Sequence, residues 1–195
     1  NWPLSWGHWR SRSALSVSKK MPYSATRPVE PMVRAISSAF TTTIFCSRGF
    51  GSTYDNRRAI QALPEGFSRA TWATLADMGV VGLPFAEQYG GIGGGPVETM
   101  IVMTAVGSAL MLEPYLATVV LGGGLVQRLG DEAQKQMLSS VAEGKLLLAL
   151  AHDEPGSRWS LADVKTSAVK QGSHWRLSGR KAVVLHGAQA DKIVV

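Results

Sequence analysis

Few side chains in this 195-residue chain stand where their chemistry can be used, and they gather in two places. One is His152-Asp153-Glu154, which directly follows an apolar run at residues 146–151. The two carboxylates read either as exposed charges at a strand end or as groups that meet a ligand there, with His152 the only histidine nearby. The other is Tyr89-Gly90-Gly91-Ile92-Gly93. Glycine has no Cβ and lets a ligand or another backbone approach closely, so this stretch reads equally as a ligand border or a flexible connection between helices. It does not match G-x-G-x-x-G and no strand precedes it, which argues against a dinucleotide phosphate loop. His8, His174 and His186 have no partner at metal-ligand spacing. The single cysteine, Cys46, excludes an internal disulfide framework and a cysteine-rich zinc site.

Strands must position the first of these stretches and helices the second. Residues 57–63 form a short helix halted by Pro64. Phe67, Trp72, Leu75, Ala76 and Met78 recur at helical spacing, with Ser68 as cap and Gly79 as terminator. A glycine-rich loop spans 82–95, and Pro96 suits the first turn of a helix continuing through 97–112. Pro114 opens another helix that ends before Gly130, and Asp131 caps a further one at 132–142. Met100, Met103 and Met111 fall near helical spacing and read as core. Gly122, Gly123 and Gly124 lie inside a predicted helix, where close packing explains them better than ligand binding. Beyond Lys145 the period becomes strand-like. Residues 146–151, 164–170, 173–177, 182–185 and 192–195 read as strands, the second and third joined by a Gln171-Gly172 hairpin turn. Helices followed by strands give an α+β order: an irregular basic head at 1–52, a helical domain at 53–145, and an antiparallel β-domain at 146–195 expected to be incomplete, since the last residues lie within a strand.

The formal net charge of +6 is concentrated in the head. Residues 1–60 hold nine Lys/Arg against two Asp/Glu, and residues 61–195 hold eleven against twelve. The body therefore has no basic footprint for nucleic acid. The most apolar stretch, 116–129, is broken by glycines, Gln127 and Arg128, short of the roughly 20 apolar residues a bilayer span needs. The head is rich in Ser, Arg and Pro and poor in acids. It reads as sequence outside the natural frame, an organelle transit segment or a disordered tail. The expected location is cytoplasmic, or mitochondrial if the head is a transit segment.

Residues 75–84 (LADMGVVGLP) followed by 84–93 (PFAEQYGGIG) resemble the acyl-CoA dehydrogenase pattern of a helix, G-L-x-x-P and then Y-G-G-x-G. Residues 149–155 (ALAHDEP) resemble that family's strand-ending T-E-P, and residues 179–191 resemble its N-G-x-K-x-W-I-T-N-G…A-D hairpin. The resemblance implies an amino-terminal helical domain, a middle β-domain and a carboxy-terminal bundle. It also implies FAD as cofactor, an acyl-CoA substrate, an electron-transfer partner and a homo-oligomeric assembly when complete. Removing the α proton of a thioester needs a positioned base and donors on the carbonyl oxygen. The family places that base in the carboxy-terminal domain, so no catalytic residue is named and the chain alone is expected to be inactive.

Carried over residue by residue, the resemblance puts Leu150, His152 and Asp153 along the flavin, with Asp153 where threonine is usual. Arg158 falls near the pyrophosphate position, either as a phosphate contact or as a surface arginine. Val183 stands where the family has a flavin-stacking tryptophan, and Leu185 where it has threonine. Tyr89, Gly90 and Gly91 are the corresponding candidates beside the acyl chain.

Overall fold

The computed structural model describes residues 54–158, 160 and 162–195; the basic head, Cys46 and Trp159 lie outside the described residues. Helix α1 (Tyr54–Gln61) starts three residues before the expected point. Helix α2 (Arg69–Asp77) begins as its sequence indicates, with Ser68 Oγ accepting a hydrogen bond from the Thr71 amide at 3.2 Å. That bond satisfies one of the four amides that a helix start leaves without an internal partner. Gly79 follows at φ 76, a left-handed turn that glycine adopts without a Cβ clash. The loop beyond it contains a 3-10 turn at Glu87–Tyr89.

Helix α3 (Pro96–Ser108) opens with its proline in the first turn, and the Glu98 carboxylate reaches back to accept from the Gly95 amide at 2.7 Å. It ends four residues short of the expected boundary, where the chain turns through Leu110 at φ 49. The next helical stretch is π-helical over Leu116–Gly123 and becomes α4 at Gly124–Leu129. Helix α5 (Glu132–Ala142) carries a reciprocal cap: Asp131 accepts from the Gln134 amide at 2.8 Å, and Gln134 accepts from the Asp131 amide at 2.9 Å.

The β portion differs from the expected layout in two ways. Strand β1 (Leu148–Leu150) pairs in parallel with β4 (Lys192–Val194), in register Leu148↔Lys192 to Leu150↔Val194. The expected antiparallel pairing holds in the hairpin of β2 (Ser167–Gln171) and β3 (His174–Ser178), whose turn carries Gly172 at φ 63. Residues 182–185 form no strand. Val183 and His186 take left-handed backbone angles there, and Gly187 donates back to the Val184 carbonyl as the chain coils into a turn. Asp191 opens β4 by accepting from the Leu147 amide at 2.7 Å through its side chain, while its own amide donates to the Leu147 carbonyl.

The core joins Phe67, Trp72 and Leu75 to Val81, Phe85, Tyr115, Val119, Leu138, Leu147 and Leu148. Trp72 Nε1 donates to the Gly144 carbonyl at 3.0 Å, so the largest core side chain also ties α2 to the exit of α5. Of the three methionines read as core, Met103 and Met111 pack against this cluster, but Met100 is 60% exposed. The apolar stripe of α3 is narrower than the methionine spacing suggests.

The π-helical segment crosses β1 at close range. A methyl at Gly122 would lie 2.7 Å from Leu148 Cβ, and one at Gly123 would lie 2.6 Å from the buried Phe85 ring. Thr118, fully buried, donates its hydroxyl to the Leu148 carbonyl at 3.0 Å and accepts from the Leu148 amide at 3.3 Å. Gly124 differs from its two neighbours, since its nearest contact would be the Val119 carbonyl at 4.0 Å. Packing thus explains two of the three glycines. Gly122→Ala is expected to lower stability by about 1–3 kcal/mol through overpacking, whereas Gly124→Ala is expected to raise it by up to about 1 kcal/mol through helix propensity. Thermal unfolding of the full chain followed by circular dichroism checks both signs.

Candidate functional site

The helix formed by the π segment and α4 presents opposite faces to two clefts. On the strand side, Leu125, Val126 and Leu129 look across at Leu148, Leu150, His152, Lys181 and β4, enclosing about 590 Å³. On the helix side, Val119, Val120, Gly124 and Gln127 face Phe85, Gly95, Thr99 and Met103, enclosing about 390 Å³. Both volumes lie in the range of small-molecule sites, about 300–1,000 Å³, and both walls are mainly apolar.

The strand-side cleft brings together Leu150 and His152 of the six expected cofactor residues. Both are half-buried. The carbonyl of His152 accepts from Lys181 Nζ at 3.2 Å, and that of Asp153 accepts from the Ala182 amide at 2.9 Å. The Asp153 side chain is half-buried and Arg158 is exposed at a left-handed φ of 47. Val183 and Leu185 point outward, Val183 being 78% exposed. An isoalloxazine ring is held by a stacked planar partner and by hydrogen-bond donors to its polar edge. The described residues offer at these positions an aliphatic side chain in solvent, a second one half in solvent, a carboxylate, and two carbonyls already engaged. These side chains do not fit FAD.

Glu154 is a correction to its reading as an exposed strand-end charge. It is 8% exposed, and its carboxylate accepts from Lys165 N at 2.7 Å, Thr166 N at 3.0 Å, Thr166 Oγ1 at 2.5 Å and Lys181 Nζ at 2.8 Å. The Lys181 ammonium, then the Thr166 hydroxyl and the backbone amides, hold the carboxyl down to about 2. One carboxylate therefore clamps the entry to β2 and the exit from β3, so its work is structural. No local sequence signal distinguishes it from Asp153; only the return of the chain at residues 165, 166 and 181 does.

The stretch expected beside the acyl chain takes another position. Tyr89 is buried, and its hydroxyl lies 3.1 Å from Glu132 Oε2 at the start of α5. Gly90 packs near Ser139, and a Cβ at Gly91 would meet the Phe85 carbonyl at 2.0 Å. Tyr89, Gly90 and Gly91 line neither cleft. They fold the loop so that Gly94 and Gly95, slightly later, form the wall of the helix-side cleft. Gly124 and Gln127 complete that wall from the other side, and Gln127 Nε2 donates to the Pro84 carbonyl at 3.3 Å. Sequence reasoning missed both residues, because a glycine and an amide within a helical period carry no mark of the cleft they face.

Two further groups matter electrostatically. Burial raises the Glu113 carboxyl above its ordinary value, although the Leu112 amide donates to it at 3.2 Å. His186 meets the Phe67 ring edge-on at 6.2 Å, and burial lowers its imidazole below 6.5. Among the described residues no cluster of three or more metal-ligating side chains occurs, and no helix is long and apolar enough to cross a membrane.

Residues 52–145 match the family described as acyl-CoA dehydrogenase, N-terminal domain. The chain is similar to the acyl-CoA dehydrogenase FadE12 of Mycobacterium tuberculosis, 32% identical over 128 residues that cover 64% of this chain and 32% of that protein. It is also similar to mitochondrial isovaleryl-CoA dehydrogenase of Bos taurus, 35% identical over 131 residues covering 65% and 30%. A variant of the Tcur3481-Tcur3483 steroid ACAD superimposes with a TM-score of 0.73 at 26% identity, over 82% of this chain and 43% of that one. The chain spans 30 to 32% of the length of these two curated relatives.

The two titrations have the same sign. Glu154 contributes stability that is complete above pH 4.5 and is lost as pH falls towards about 2. His186 folds neutral, so its contribution is complete above pH 6.5 and is lost as pH falls through the lowered folded-state value. Melting temperature measured against pH is expected to decline in two steps. His186→Asn, which tolerates the left-handed backbone, removes the upper step, and Glu154→Gln lowers stability near neutrality and flattens the acid limb.

Proposed function

Because the chain belongs to the acyl-CoA dehydrogenase family through residues 52–145, we propose that it supplies the helical wall and first strands of an oxidoreductase acting on the CH–CH bond of an acyl-CoA thioester. The observation that carries this reading is the helix-side cleft, walled by Phe85, Met103, Val119 and Val120 in the part of the chain that matches the family. An acyl group entering it leaves water for an apolar enclosure, a gain of about 0.8 kcal/mol per buried methylene. The polar side chains of that wall are Thr99, Gln127 and the exposed Arg128, so the apolar part suits a hydrocarbon and the one charged group stands in solvent.

The activity proposed for the whole protein is oxidation of the CH–CH bond of an acyl-CoA thioester, for which FAD would supply the electron-accepting chemistry; no step of it is assigned to residues of this chain. The proposed partners are an electron-transfer protein and further copies of the same subunit, and the proposed location is cytoplasmic, or mitochondrial if the basic head is a transit segment. No residue of this chain is assigned as the base. Glu98, Glu113 and Glu154 are the buried carboxylates among the described residues, and each is occupied by backbone or side-chain donors that hold the fold together.

A second reading is favoured by the outward Val183 and Leu185 and by the carboxylate at Asp153: a non-catalytic acyl-CoA-binding module derived from the same fold. Calorimetric titration of the full chain with octanoyl-CoA and with free CoA tests what the two readings share. The thioester is expected to bind at least about tenfold more tightly, the effect of burying roughly two methylenes, and equal affinity would sink both. Added FAD is expected to show no change in fluorescence, as the binding module requires. Flavin capture with turnover of octanoyl-CoA before an artificial electron acceptor would instead establish a catalytic unit and place the base within this chain.

A further inference from the structure

We propose that His186 is a pH-sensitive latch: neutral, it holds the turn at residues 182–190 against the helical domain, and protonated, it releases that turn while the rest of the fold stays closed. The two ends of the turn are pinned through the backbone. The Ala182 amide donates to the Asp153 carbonyl at 2.9 Å, and beyond the other end the Asp191 amide donates to the Leu147 carbonyl at 2.9 Å. Between them, the hydrogen bonds among the described residues stay inside the turn: Gly187 donates to the Val184 carbonyl, and Gln189 and Ala190 both donate to the His186 carbonyl. Val183, Val184, Leu185 and Ala190 neither enter the buried core nor pack against it. The turn reaches the core through the half-buried His186 ring, set edge-on to Phe67 at 6.2 Å, with Phe67 itself 1% exposed.

The groups around this contact favour the neutral imidazole. The Phe67 ring also carries the Arg69 guanidinium, 5.2 Å from its centroid. The carboxylates of the cluster are already engaged: Glu65 accepts from Arg69 at 2.6 and 2.8 Å, Asp191 accepts from the Leu147 amide at 2.7 Å, and Glu113 accepts from the backbone amides of Ser68 and Leu112. Lys181, just before the turn, gives its ammonium to Glu154 and to the His152 carbonyl. Among the described residues no carboxylate lies within ion-pair distance of His186. A proton on the imidazole would therefore put an unpaired cation into a half-buried contact, against an aromatic ring that a second cation already faces. Burial holds the imidazole below 6.5, so the latch is closed above pH 6.5 and opens as pH falls through the lowered folded-state value. Release breaks no hydrogen bond to the rest of the described chain, and the pinned ends confine the movement to the residues between them.

The test is amide hydrogen exchange of the full chain, read residue by residue by NMR at about pH 7.5 and about pH 5 and corrected for the intrinsic rate at each pH. It compares wild type with His186→Asn, which keeps the left-handed backbone but does not titrate, and with Glu113→Gln, which removes the other buried titrating group beside Phe67. Circular dichroism melting establishes that each variant is folded. In the wild type, protection at Gly187, Gln189 and Ala190 is expected to fall at least about threefold on acidification. Low urea is expected to leave exchange in the turn unchanged while speeding that of α5, because a local opening exposes little surface. The same three amides in His186→Asn are expected to be weakly protected and equally so at both pH values, while Glu113→Gln responds as wild type does. A wild-type turn indifferent to pH, or a response retained in His186→Asn or lost in Glu113→Gln, would overturn the latch. So would turn amides that share the protection and urea dependence of α5, since they would then open only when the whole fold does.

Discussion

The close crossing of the π-helical segment over β1 is the contact on which the remaining architecture depends. Gly122 removes the Cβ that would separate helix backbone from Leu148, and Thr118 fills the resulting polar gap by bonding both the amide and the carbonyl of that residue. A buried strand residue with unpaired backbone groups would be costly, and the hydroxyl takes the place of a neighbouring strand there. The crossing fixes the helix rotationally as well as in distance. With Gly122 and Thr118 held against β1, Val119, Val120, Gly124 and Gln127 must face one side while Leu125, Val126 and Leu129 face the other. Two clefts separated by a single helix follow from that rotation. The π geometry belongs to the same solution, since widened turns inside helices often occur where side chains are re-aimed at functional surfaces.

A second set of contacts anchors the β portion to this frame. Asp191 pins the start of β4 to Leu147 through both side chain and backbone. Glu154 and Lys181 close the base of the hairpin, and His186 sets its ring against Phe67 beside the Arg69 guanidinium, which lies 5.2 Å from the Phe67 centroid. Together they hold the segment after β1 in a path with parallel pairing and no strand at residues 182–185. That path turns Val183 and Leu185 outward. The acyl-facing side has the stronger physical case, because its wall is built from core residues of the domain itself.

Helix positions were largely legible in the sequence because their determinants are local. Ser68 and Asp131 carry side-chain acceptors at the right spacing, Pro96 lacks the amide a first turn leaves idle, and Gly79 takes a left-handed angle freely. The hairpin was legible for the same reason, since Gly172 marks a tight turn between alternating segments, although Gln171 pairs with His174 and the turn itself is Gly172-Ser173. Positions and orders of these elements, and the family, were therefore determined by short-range chemistry and motif order. Met100 was misjudged because spacing reports only that a face exists, while the width of the buried stripe depends on what packs against it.

Contacts across dozens of residues decided what the sequence alone left open. Whether Glu154 was a surface charge or a buried clamp depended on residues 165, 166 and 181 returning to it. Tyr89 and its glycines pack where α5 arrives against them, and Gly124 differed from Gly122 and Gly123 because Leu148 and Phe85 stand opposite those two alone. By itself the sequence determined where the backbone turns, which segments are helical and which family it resembles, because capping groups, glycines and motif spacing act within a few residues. Only the tertiary structure decided which face each side chain presents and which polar groups are spent in holding the fold, because burial and hydrogen-bond partners come from distant parts of the chain.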